Sequence, residues 1–339
     1  MIEVRNLTKC FGETRAVDDL SFTVKEGVAY GFLGRNGAGK TTTIRILMNV
    51  FREDSGEALI DGVPAYKEST RIGYLPEERG LYSKRVVLEQ LIYFGRLKGM
   101  DRQSAEQEAK AKLEEMDAAE YTYKKLEALS KGNQQKIQLA VAMMGDPGVI
   151  ILDEPFSGLD PINAQVLKKA VRRQVDAGRT VIFSSHQMAL VEEFCDDICI
   201  IDKGRAVLEG NLAAIKRSYP RDLLFVETEK GLSGLYGPAG KTLEGMLGEM
   251  PFVTDVFPKG NGCVVKLDDP AKRSLLLRTL EEVDARVDSF YVIEPTLEQI
   301  FVEKAGAPDP LDEEKGASGQ DGEKARGIRF GRLGRRFAK

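Results

Sequence analysis

One eight-residue segment constrains the fold of this chain more than any other part of the sequence. Residues 34–41 read Gly-Arg-Asn-Gly-Ala-Gly-Lys-Thr, which fits the pattern G-x-x-x-x-G-K-[ST]. An apolar, strand-like run at residues 28–33 precedes the segment, and Ile44, Leu47 and Met48 follow it at helical spacing. A loop of this kind between a strand and a helix is typical of a parallel α/β sheet and binds phosphate groups.

The residue types of the loop explain how it would hold a nucleotide. Glycines allow the backbone N–H groups to approach phosphate oxygens without a Cβ in the way. Lys40 is placed to pair with the β and γ phosphates of ATP and the hydroxyl of Thr41 to hold Mg²⁺, while the start of the next helix favours an anion. We therefore expect ATP and Mg²⁺ as cofactors. The predicted nucleotide-binding residues of this segment are Gly34, Arg35, Asn36, Gly37, Ala38, Gly39, Lys40, Thr41 and Thr42.

A similar segment later in the chain lacks key features of the pattern. Residues 237–242 read Gly-Pro-Ala-Gly-Lys-Thr, but Leu235 occupies the position of the first glycine and no strand-like run precedes it. We interpret this second segment as a loop before a helix rather than as a phosphate site.

Two carboxylates end the apolar run at residues 149–154, which read Val-Ile-Ile-Leu-Asp-Glu. A buried parallel strand tolerates such residues only at its C-terminal end, where ligands bind. We expect Asp153 to hold Mg²⁺, directly or through water, and Glu154 to act as the general base toward the attacking water. Taken alone, a strand ending in Asp-Glu is more often a helix cap or a surface feature, so this prediction depends on the phosphate loop.

The first 210 residues alternate strand-like and helical runs, which predicts a mostly parallel sheet covered by helices. The predicted strands are residues 22–24, 28–33, 149–153, 180–184 and 197–201. Residues 84–144 have helical apolar spacing, for example at Val87, Leu91 and Phe94, and predict a separate helical lobe. We therefore predict an α/β nucleotide-binding domain of the P-loop type at residues 1–210.

After residue 210 the pattern changes to that of a smaller α+β domain. Strand-like and helical runs follow one another in the order βαββαβ, and residues 259–262, Lys-Gly-Asn-Gly, supply the turn between the middle two strands. This order predicts a ferredoxin-like domain over residues 211–305, with a last helical segment opened by Pro295. Residues 306–339 show no apolar periodicity at their start and predict a disordered tail.

Three further motifs carry a resemblance to a known family. Residues 129–135 read Leu-Ser-Lys-Gly-Asn-Gln-Gln, residues 157–160 read Ser-Gly-Leu-Asp, and His186 follows a strand that ends in two serines. In this order, and together with the phosphate loop, the motifs resemble the signature loop, the dimer-contact loop and the switch histidine of the ATP-binding cassette (ABC) ATPases. The resemblance covers about residues 2–210.

The resemblance implies functions for individual residues. In that family two cassettes close head to tail, so Ser130 and the N–H of Gly132 would bind a γ-phosphate held by a second copy, and Asp160 would lie at the dimer contact. His186 would orient the attacking water beside the γ-phosphate. Phe11 matches the aromatic residue that stacks on adenine, although an aromatic near a strand is by default part of a core.

The sequence departs from the family pattern at two positions. The signature loop has Lys131, Gly132 and Asn133 where two adjacent glycines and a Gln are usual, and Glu77 replaces the Gln of the coupling loop. The carboxylate of Glu77 can still meet Mg²⁺ or water, but it donates no hydrogen bond as an amide would. These departures and the predicted C-terminal domain resemble the ABC subunits that serve drug, polysaccharide or sodium exporters.

Composition limits the classes of partner. The 49 Lys and Arg residues against 53 Asp and Glu give a net charge of −4, which does not favour nucleic acid as the main partner. No apolar run reaches the roughly 18 residues of a membrane-spanning helix. The N-terminal residues lack the apolar core of a signal peptide, so we expect a cytoplasmic protein, peripheral at the inner face of the cell membrane. Four scattered cysteines and one histidine argue against a zinc site and indicate buried apolar cysteines.

The end of the sequence is basic and partly apolar. Six cations alternate there with Ile328, Phe330, Leu333 and Phe337. Contact with anionic lipid and a solvated flexible tail are both open interpretations, and the interspersed glycines favour the second.

Three functions compete on these observations. The first is the ATPase motor of an ABC exporter, which acts as a dimer, most simply a homodimer, on membrane-spanning permease subunits carried by separate chains. The second is an ABC ATPase that acts on nucleic acid or ribosomes, for which a long coiled-coil insertion or two cassettes in one chain would be expected. The third is a regulatory module that does not hydrolyse ATP, against which Glu154 and His186 both argue. We favour the first.

Overall fold

The computed structural model describes residues 1–68, 72–78, 80–237 and 239–306. The strands are β1 (Ile2–Phe11), β2 (Thr14–Val24), β3 (Ala29–Gly34), β4 (Ser55–Ile60), β5 (Val63–Pro64), β6 (Ile72–Leu75), β7 (Val149–Asp153), β8 (Thr180–Ser185), β9 (Asp197–Asp202), β10 (Arg205–Asn211), β11 (Leu223–Thr228), β12 (Val253–Lys259), β13 (Gly262–Leu267) and β14 (Val287–Val292). The α-helices are α1 (Lys40–Leu47), α2 (Ala65–Glu68), α3 (Val87–Leu97), α4 (Arg102–Glu115), α5 (Lys131–Ala142), α6 (Pro161–Asp176), α7 (Met188–Phe194), α8 (Leu212–Ser218), α9 (Leu243–Gly248), α10 (Arg273–Glu282) and α11 (Leu297–Ala305).

A six-stranded sheet in the order β10-β9-β3-β8-β7-β6 forms the centre of the part of the chain that precedes β11, called the cassette below. All its strands are parallel except β10, which pairs with β9 in the antiparallel sense. Every residue of β3, β7 and β8 is buried, as is usual for parallel strands covered on both faces. Alternate residues of β7 therefore enter different cores, with Ile150 and Leu152 on one side and Val149 and Ile151 on the other. The predicted P-loop α/β fold is confirmed.

The register of the central strands brings the predicted phosphate-binding and catalytic residues to one edge of the sheet. Leu33 of β3 pairs with Ser185 of β8, and Asp153 of β7 pairs with Ser184. Because parallel strands end on the same side, the phosphate loop, the two carboxylates and the residues after β8 all start from this edge.

A second, antiparallel sheet in the order β2-β1-β4-β5 packs against the central sheet. The apolar core between them contains Ile2, Val4, Phe22, Phe32 and Ile151. Phe22 lies against Phe32 with ring centroids 5.1 Å apart. Phe11, the last residue of β1, contacts Phe51, which follows α1.

Helices α3, α4 and α5 form the helical lobe predicted at residues 84–144. Asp101 caps α4 by accepting hydrogen bonds from the N–H groups of Gln103 and Ser104. At the end of α5, the Lys98 ammonium donates to the carbonyl oxygens of Met144 (2.7 Å) and Ala142 (3.3 Å). Burial lowers the pKa of Lys98 to about 8. A half-buried lysine thus binds carbonyl oxygens at and just after the C-terminal end of α5.

The C-terminal strands form a separate antiparallel sheet in the order β12-β13-β11-β14. With α9 and α10 between the strands, the chain order is βαββαβ, which confirms the predicted ferredoxin-like fold. One face of the sheet packs on the two helices through a core that includes Leu224, Val265, Leu247, Leu276 and Leu280.

The last helix leaves this small domain and packs on the cassette. Thr296 and Gln299 form a capping box at its start, with Thr296 N–H donating to Gln299 Oε1 (2.9 Å) and Gln299 N–H to Thr296 Oγ1 (3.3 Å). Leu297, Ile300 and Phe301 belong to the apolar core of the cassette and not to that of the ferredoxin-like domain. Helix α11 therefore connects the two parts of the chain.

Residues 1–305 form one compact unit. The division of the chain at residue 210 stays a prediction, and the predicted disordered tail lies outside the described residues except for Gly306. Among the described helices, none has the length and apolar character needed to cross a membrane.

The cysteines follow their predicted burial with one exception. Cys195, Cys199 and Cys263 are buried, but Cys10 is partly exposed because it lies near the outer end of β1, opposite Arg15. Cys195 directly follows α7, and Cys199 lies in β9.

Candidate active site

The phosphate loop joins β3 to α1, and one of its glycines is required by its surroundings. Gly39 has φ +106°, and a Cβ there would lie 2.5 Å from the carbonyl oxygen of Ala16. The loop is closed by Ala38 N–H, which donates to Arg35 O (3.1 Å). Gly204 N–H donates to Ala38 O (2.9 Å). Strand β2 and the turn between β9 and β10 therefore hold the loop in a fixed conformation.

Lys40 is folded back over the loop that carries it. Its side chain is buried, and Nζ donates to Gly34 O (2.6 Å) and Arg35 O (3.2 Å). Burial lowers the pKa of the ammonium, while the nearby charges of Glu154 and Asp153 raise it. The cation of the phosphate loop thus interacts electrostatically with Asp153, the last residue of β7, and with Glu154, which follows it.

Asp153 is the last residue of β7 and is 2% exposed. Burial raises the pKa of its carboxyl group, and the charges of Glu77 and Glu154 raise it further. Among the described residues, no group of three or more His, Cys, Asp or Glu side chains could hold a metal ion. A cation at Asp153 would therefore need other oxygen ligands, such as the Thr41 hydroxyl and nucleotide phosphates.

Glu154 is held in a strained position by three donors. Its φ of +49° is uncommon for a non-glycine residue, and its N–H donates to Ser184 O (2.9 Å). The carboxylate accepts from Ser185 Oγ (3.1 Å), from the backbone N–H of His186 (2.9 Å) and from His186 Nδ1 (2.7 Å). An ionised carboxylate only accepts hydrogen bonds, and the His186 tautomer that matches it has its proton on Nδ1.

The signature and dimer-contact loops meet at the N-termini of α5 and α6. Ser130 is exposed and caps α5, with Oγ accepting from Asn133 N–H (3.3 Å). Asp160 caps α6 and accepts from Asn163 N–H (2.9 Å) and Nδ2 (2.5 Å). A Cβ on Gly132 would lie 2.7 Å from Asn163 Nδ2. Gly132 thus allows the two helix starts to approach closely.

Several of the predicted site residues are exposed or half-buried. Phe11 is 44% exposed, with its ring edge-on to Phe51 at 5.2 Å and Lys9 Nζ 5.7 Å from its centroid. Glu77 is exposed after β6, and its charge affects both Lys40 and Asp153. Asn36 and Gly37 are exposed at the tip of the phosphate loop. Thr41 and Thr42 are half-buried in the first turn of α1.

Three residues of the site were not predicted from the sequence. Ser185 holds Glu154, Asn163 lies between Gly132 and Asp160, and Gln135 Nε2 donates to Pro155 O (3.2 Å), directly after Glu154. Ser185 adjoins His186 in the sequence, which is a local signal. The other two act through contacts between elements that are far apart in the chain.

The family models match two parts of the chain. Residues 17–157 match the model described as ABC transporter, and residues 210–305 match the C-terminal domain of the ATP-binding protein DrrA1-3-like family.

Individual relatives cover most of the chain. The uncharacterized ABC transporter ATP-binding protein YhaQ of Bacillus subtilis is 39% identical over 318 residues, which are 91% of this chain and 99% of that protein. The Nod factor export ATP-binding protein I of Burkholderia lata is 34% identical over 282 residues, or 82% of this chain and 90% of that protein. A solved structure titled as the ATP binding subunit of an ABC transporter matches with a TM-score of 0.60 and 28% identity, covering 64% of this chain and 92% of its own.

These matches agree with the geometry of the site. A phosphate loop, a Lys40 amine near two carboxylates and a histidine bound to Glu154 occur on one sheet edge, in a chain of which 91% aligns with an ABC transporter ATP-binding protein. The chain therefore belongs to the ABC transporter family, as an ATP-binding subunit that hydrolyses ATP.

Proposed function

We propose that this chain is the ATPase motor of an exporter whose membrane-spanning permease subunits are separate chains. The observation that carries the proposal is the contact of Glu154 with His186 beside Lys40, because it combines a candidate base, a water-orienting group and a phosphate ligand. The similarity to a Nod factor export protein supports export as the direction of transport.

The catalytic assignments follow from the positions of the groups. Glu154 accepts the proton of the attacking water, since its carboxylate is already held by fixed donors. His186 orients the water and the γ-phosphate through its exposed ring. Lys40 and the N–H groups of residues 34–42 bind the phosphates. Phe11 stacks on adenine with its exposed ring face.

The donor set at the end of β7 fits Mg²⁺, which prefers oxygen ligands and retains several waters. Asp153, the Thr41 hydroxyl and, at the rim, Glu77 would hold it. When bound, the ion neutralises charge on the phosphates. Burial raises the pKa of the Asp153 carboxyl group, and a bound cation would favour its ionised form.

The site is completed by a second cassette. Ser130 is exposed at the N-terminus of α5, where a helix start with free N–H groups binds an anion. We assign Ser130 and Gly132 to the γ-phosphate of the partner cassette and the Asp160 loop to the dimer contact. A homodimer is the simplest assembly of this kind.

The surface of the helical lobe provides a docking face for a permease. Tyr82, Arg85, Glu89 and Tyr93 line a cleft of about 360 Å³, and both tyrosine rings are about half exposed. Their ring centroids are 6.3 Å apart in an edge-on arrangement. Exposed aromatic residues next to charged ones are typical of protein interfaces. This face lies after the Glu77 loop in the sequence and would connect the site to the membrane subunits.

We place the working complex at the inner face of the cell membrane, where ATP is available to a subunit bound to a permease. The basic tail would then be near anionic headgroups, which could bind its arginines. The proposed function does not include nucleic acid as a partner.

Co-purification tests the proposal. The tagged full chain is isolated from detergent-solubilised membranes of its own host, and the expected partner is a multi-spanning protein. ATP hydrolysis by the complex and ATP-dependent export into vesicles are then measured. Recovery of ribosomes or DNA in place of a membrane protein would overturn the proposal.

A pair of variants tests the docking face. Tyr93→Ala is expected to reduce recovery of the permease while leaving ATP binding by the isolated subunit unchanged. Tyr123→Ala is the control, because Tyr123 is also in the helical lobe and is 75% exposed but does not line the cleft. Equal recovery with both variants would remove the docking assignment.

A further inference from the structure

The last described helix contacts the phosphate loop from the far end of the chain. Phe301 of α11 is 7% exposed and packs within the cassette core. Its ring lies under the guanidinium of Arg35, with Cζ 5.8 Å from the ring centroid. This distance is within the range of a cation–π interaction.

Arg35 is connected directly to the phosphate-binding lysine. Its carbonyl oxygen accepts hydrogen bonds from Lys40 Nζ (3.2 Å) and from Ala38 N–H (3.1 Å). A displacement of Arg35 therefore changes the position of the lysine ammonium and the closure of the loop. The side chain of Arg35 is held from the α11 side, while its backbone holds Lys40.

The same helix is anchored to the element that follows His186. Glu192 of α7 accepts a hydrogen bond from Leu297 N–H (2.9 Å) at the start of α11. Its carboxylate also pairs with Lys216 of α8. A carboxylate at a helix N-terminus is stabilised by the free N–H groups there. Helix α11 is thus fixed at its start by α7 and contacts the phosphate loop through Phe301.

We infer that Phe301 is a positioning residue for nucleotide binding: its ring holds Arg35, and Arg35 holds Lys40 in the conformation that receives the phosphates. Phe301 does not touch the nucleotide in this assignment. The C-terminal segment is therefore part of the support of the ATP site. The inference rests on the proposed use of residues 34–41 as the phosphate loop.

A double-mutant cycle tests the inference on the full chain. The dissociation constant of a fluorescent ATP analogue is measured for the wild type, Phe301→Leu, Arg35→Met and the double variant. Phe301→Leu keeps an apolar side chain in the core but removes the ring. We expect it to weaken binding about two- to fivefold, the size of one cation–π contact, and to have no further effect in the Arg35→Met background.

Two controls separate positioning from general stability. Phe252→Leu makes the same change at a phenylalanine of similar burial in the ferredoxin-like core, and should lower Tm without changing the dissociation constant. Phe301→Tyr retains a ring and should restore wild-type affinity. Unchanged affinity in Phe301→Leu, or an equal loss in both Arg35 backgrounds, would overturn the inference.

Lys40→Ala distinguishes failure of the inference from failure of the site assignment. If this variant loses nucleotide binding while Phe301→Leu binds normally, only the positioning role is wrong. If Lys40→Ala binds the analogue as tightly as the wild type, the phosphate-loop assignment itself is wrong and the positioning role is wrong with it.

Discussion

His186 Nδ1 lies 2.7 Å from Glu154 Oε1, so the single histidine of the sequence is bound to the carboxylate that we assign as the general base. The backbone N–H of the same histidine donates to the same oxygen at 2.9 Å. One residue thus supplies two of the donors that fix the carboxylate. Movement of the loop after β8 would change both contacts together.

Glu154→Gln should stop hydrolysis while retaining nucleotide binding. The amide cannot accept the proton of the attacking water, so we expect kcat to fall about 10²- to 10⁴-fold. A closed dimer should accumulate with ATP and be visible by size-exclusion chromatography. A normal rate of phosphate release in this variant would rule out the general-base assignment.

His186→Ala should reduce kcat by about tenfold or more, because Glu154 loses the ring donor and the water loses an orienting group. His186→Asn is the conservative comparison, since its amide can still donate to Glu154, and part of the rate should return. Ser185→Ala removes the longer 3.1 Å contact and should have a smaller effect. If His186→Ala and Ser185→Ala lose the same activity, the ring has no special function.

Gly132→Ala should disturb the contact between the N-termini of α5 and α6, where the signature and dimer-contact loops meet. The new Cβ would lie 2.7 Å from Asn163 Nδ2, which is itself held by Asp160. We expect a loss of about 1–2 kcal/mol in the free energy of unfolding. Asn163→Ala in the same chain should recover most of this loss, measured by urea unfolding. Additive losses in the double variant would show that the two residues do not interact.

Because of Lys98, the free energy of unfolding should change with pH in the alkaline range. Its pKa is about 8 in the folded protein because of burial, against 10.5 for an ordinary lysine. Between these values the unfolded chain binds more protons than the folded one, so the free energy of unfolding rises with pH. Below pH 8 Lys98 is charged in both the folded and the unfolded state, and the cost of burying the charge lowers the free energy of unfolding in full. Above about pH 10.5 the lysine is neutral in both states and this cost is absent.

The matched variant for this effect is Lys98→Met, in which the lysine cannot titrate. From pH 7.5 to pH 10, urea unfolding should show the wild type gaining about 1–3 kcal/mol relative to the variant. A constant difference between the two proteins across this range would contradict the lowered pKa.

The parts of the structure that could be predicted are those whose signals are local. The phosphate loop and residues 149–154 need consecutive residues of defined type, and strands β7 and β8 read as continuous apolar runs. Strand β1 was not predicted, although it is ten residues long. Its pairing with β2 shifts register three times, and these irregularities break the alternation that marks a strand.

The site contacts that were missed are tertiary. Asn163 approaches Gly132 across two helix starts, and Phe301 approaches Arg35 from the other end of the chain. The spacing of apolar residues in α11 predicts a helix but not the surface that it covers. Only the packing of Leu297, Ile300 and Phe301 into the cassette core identifies that surface.

The position of α11 also determines when the apolar core of a newly made cassette becomes complete. Ribosomes synthesise the chain from its N-terminus, so residues 1–211 of the cassette emerge well before Leu297, Ile300 and Phe301. Until those three residues leave the exit tunnel, one apolar surface of the nascent cassette has no cover and Arg35 has no ring beneath it. The support of Arg35 by Phe301 is thus formed only after the strands of the ferredoxin-like domain have been made.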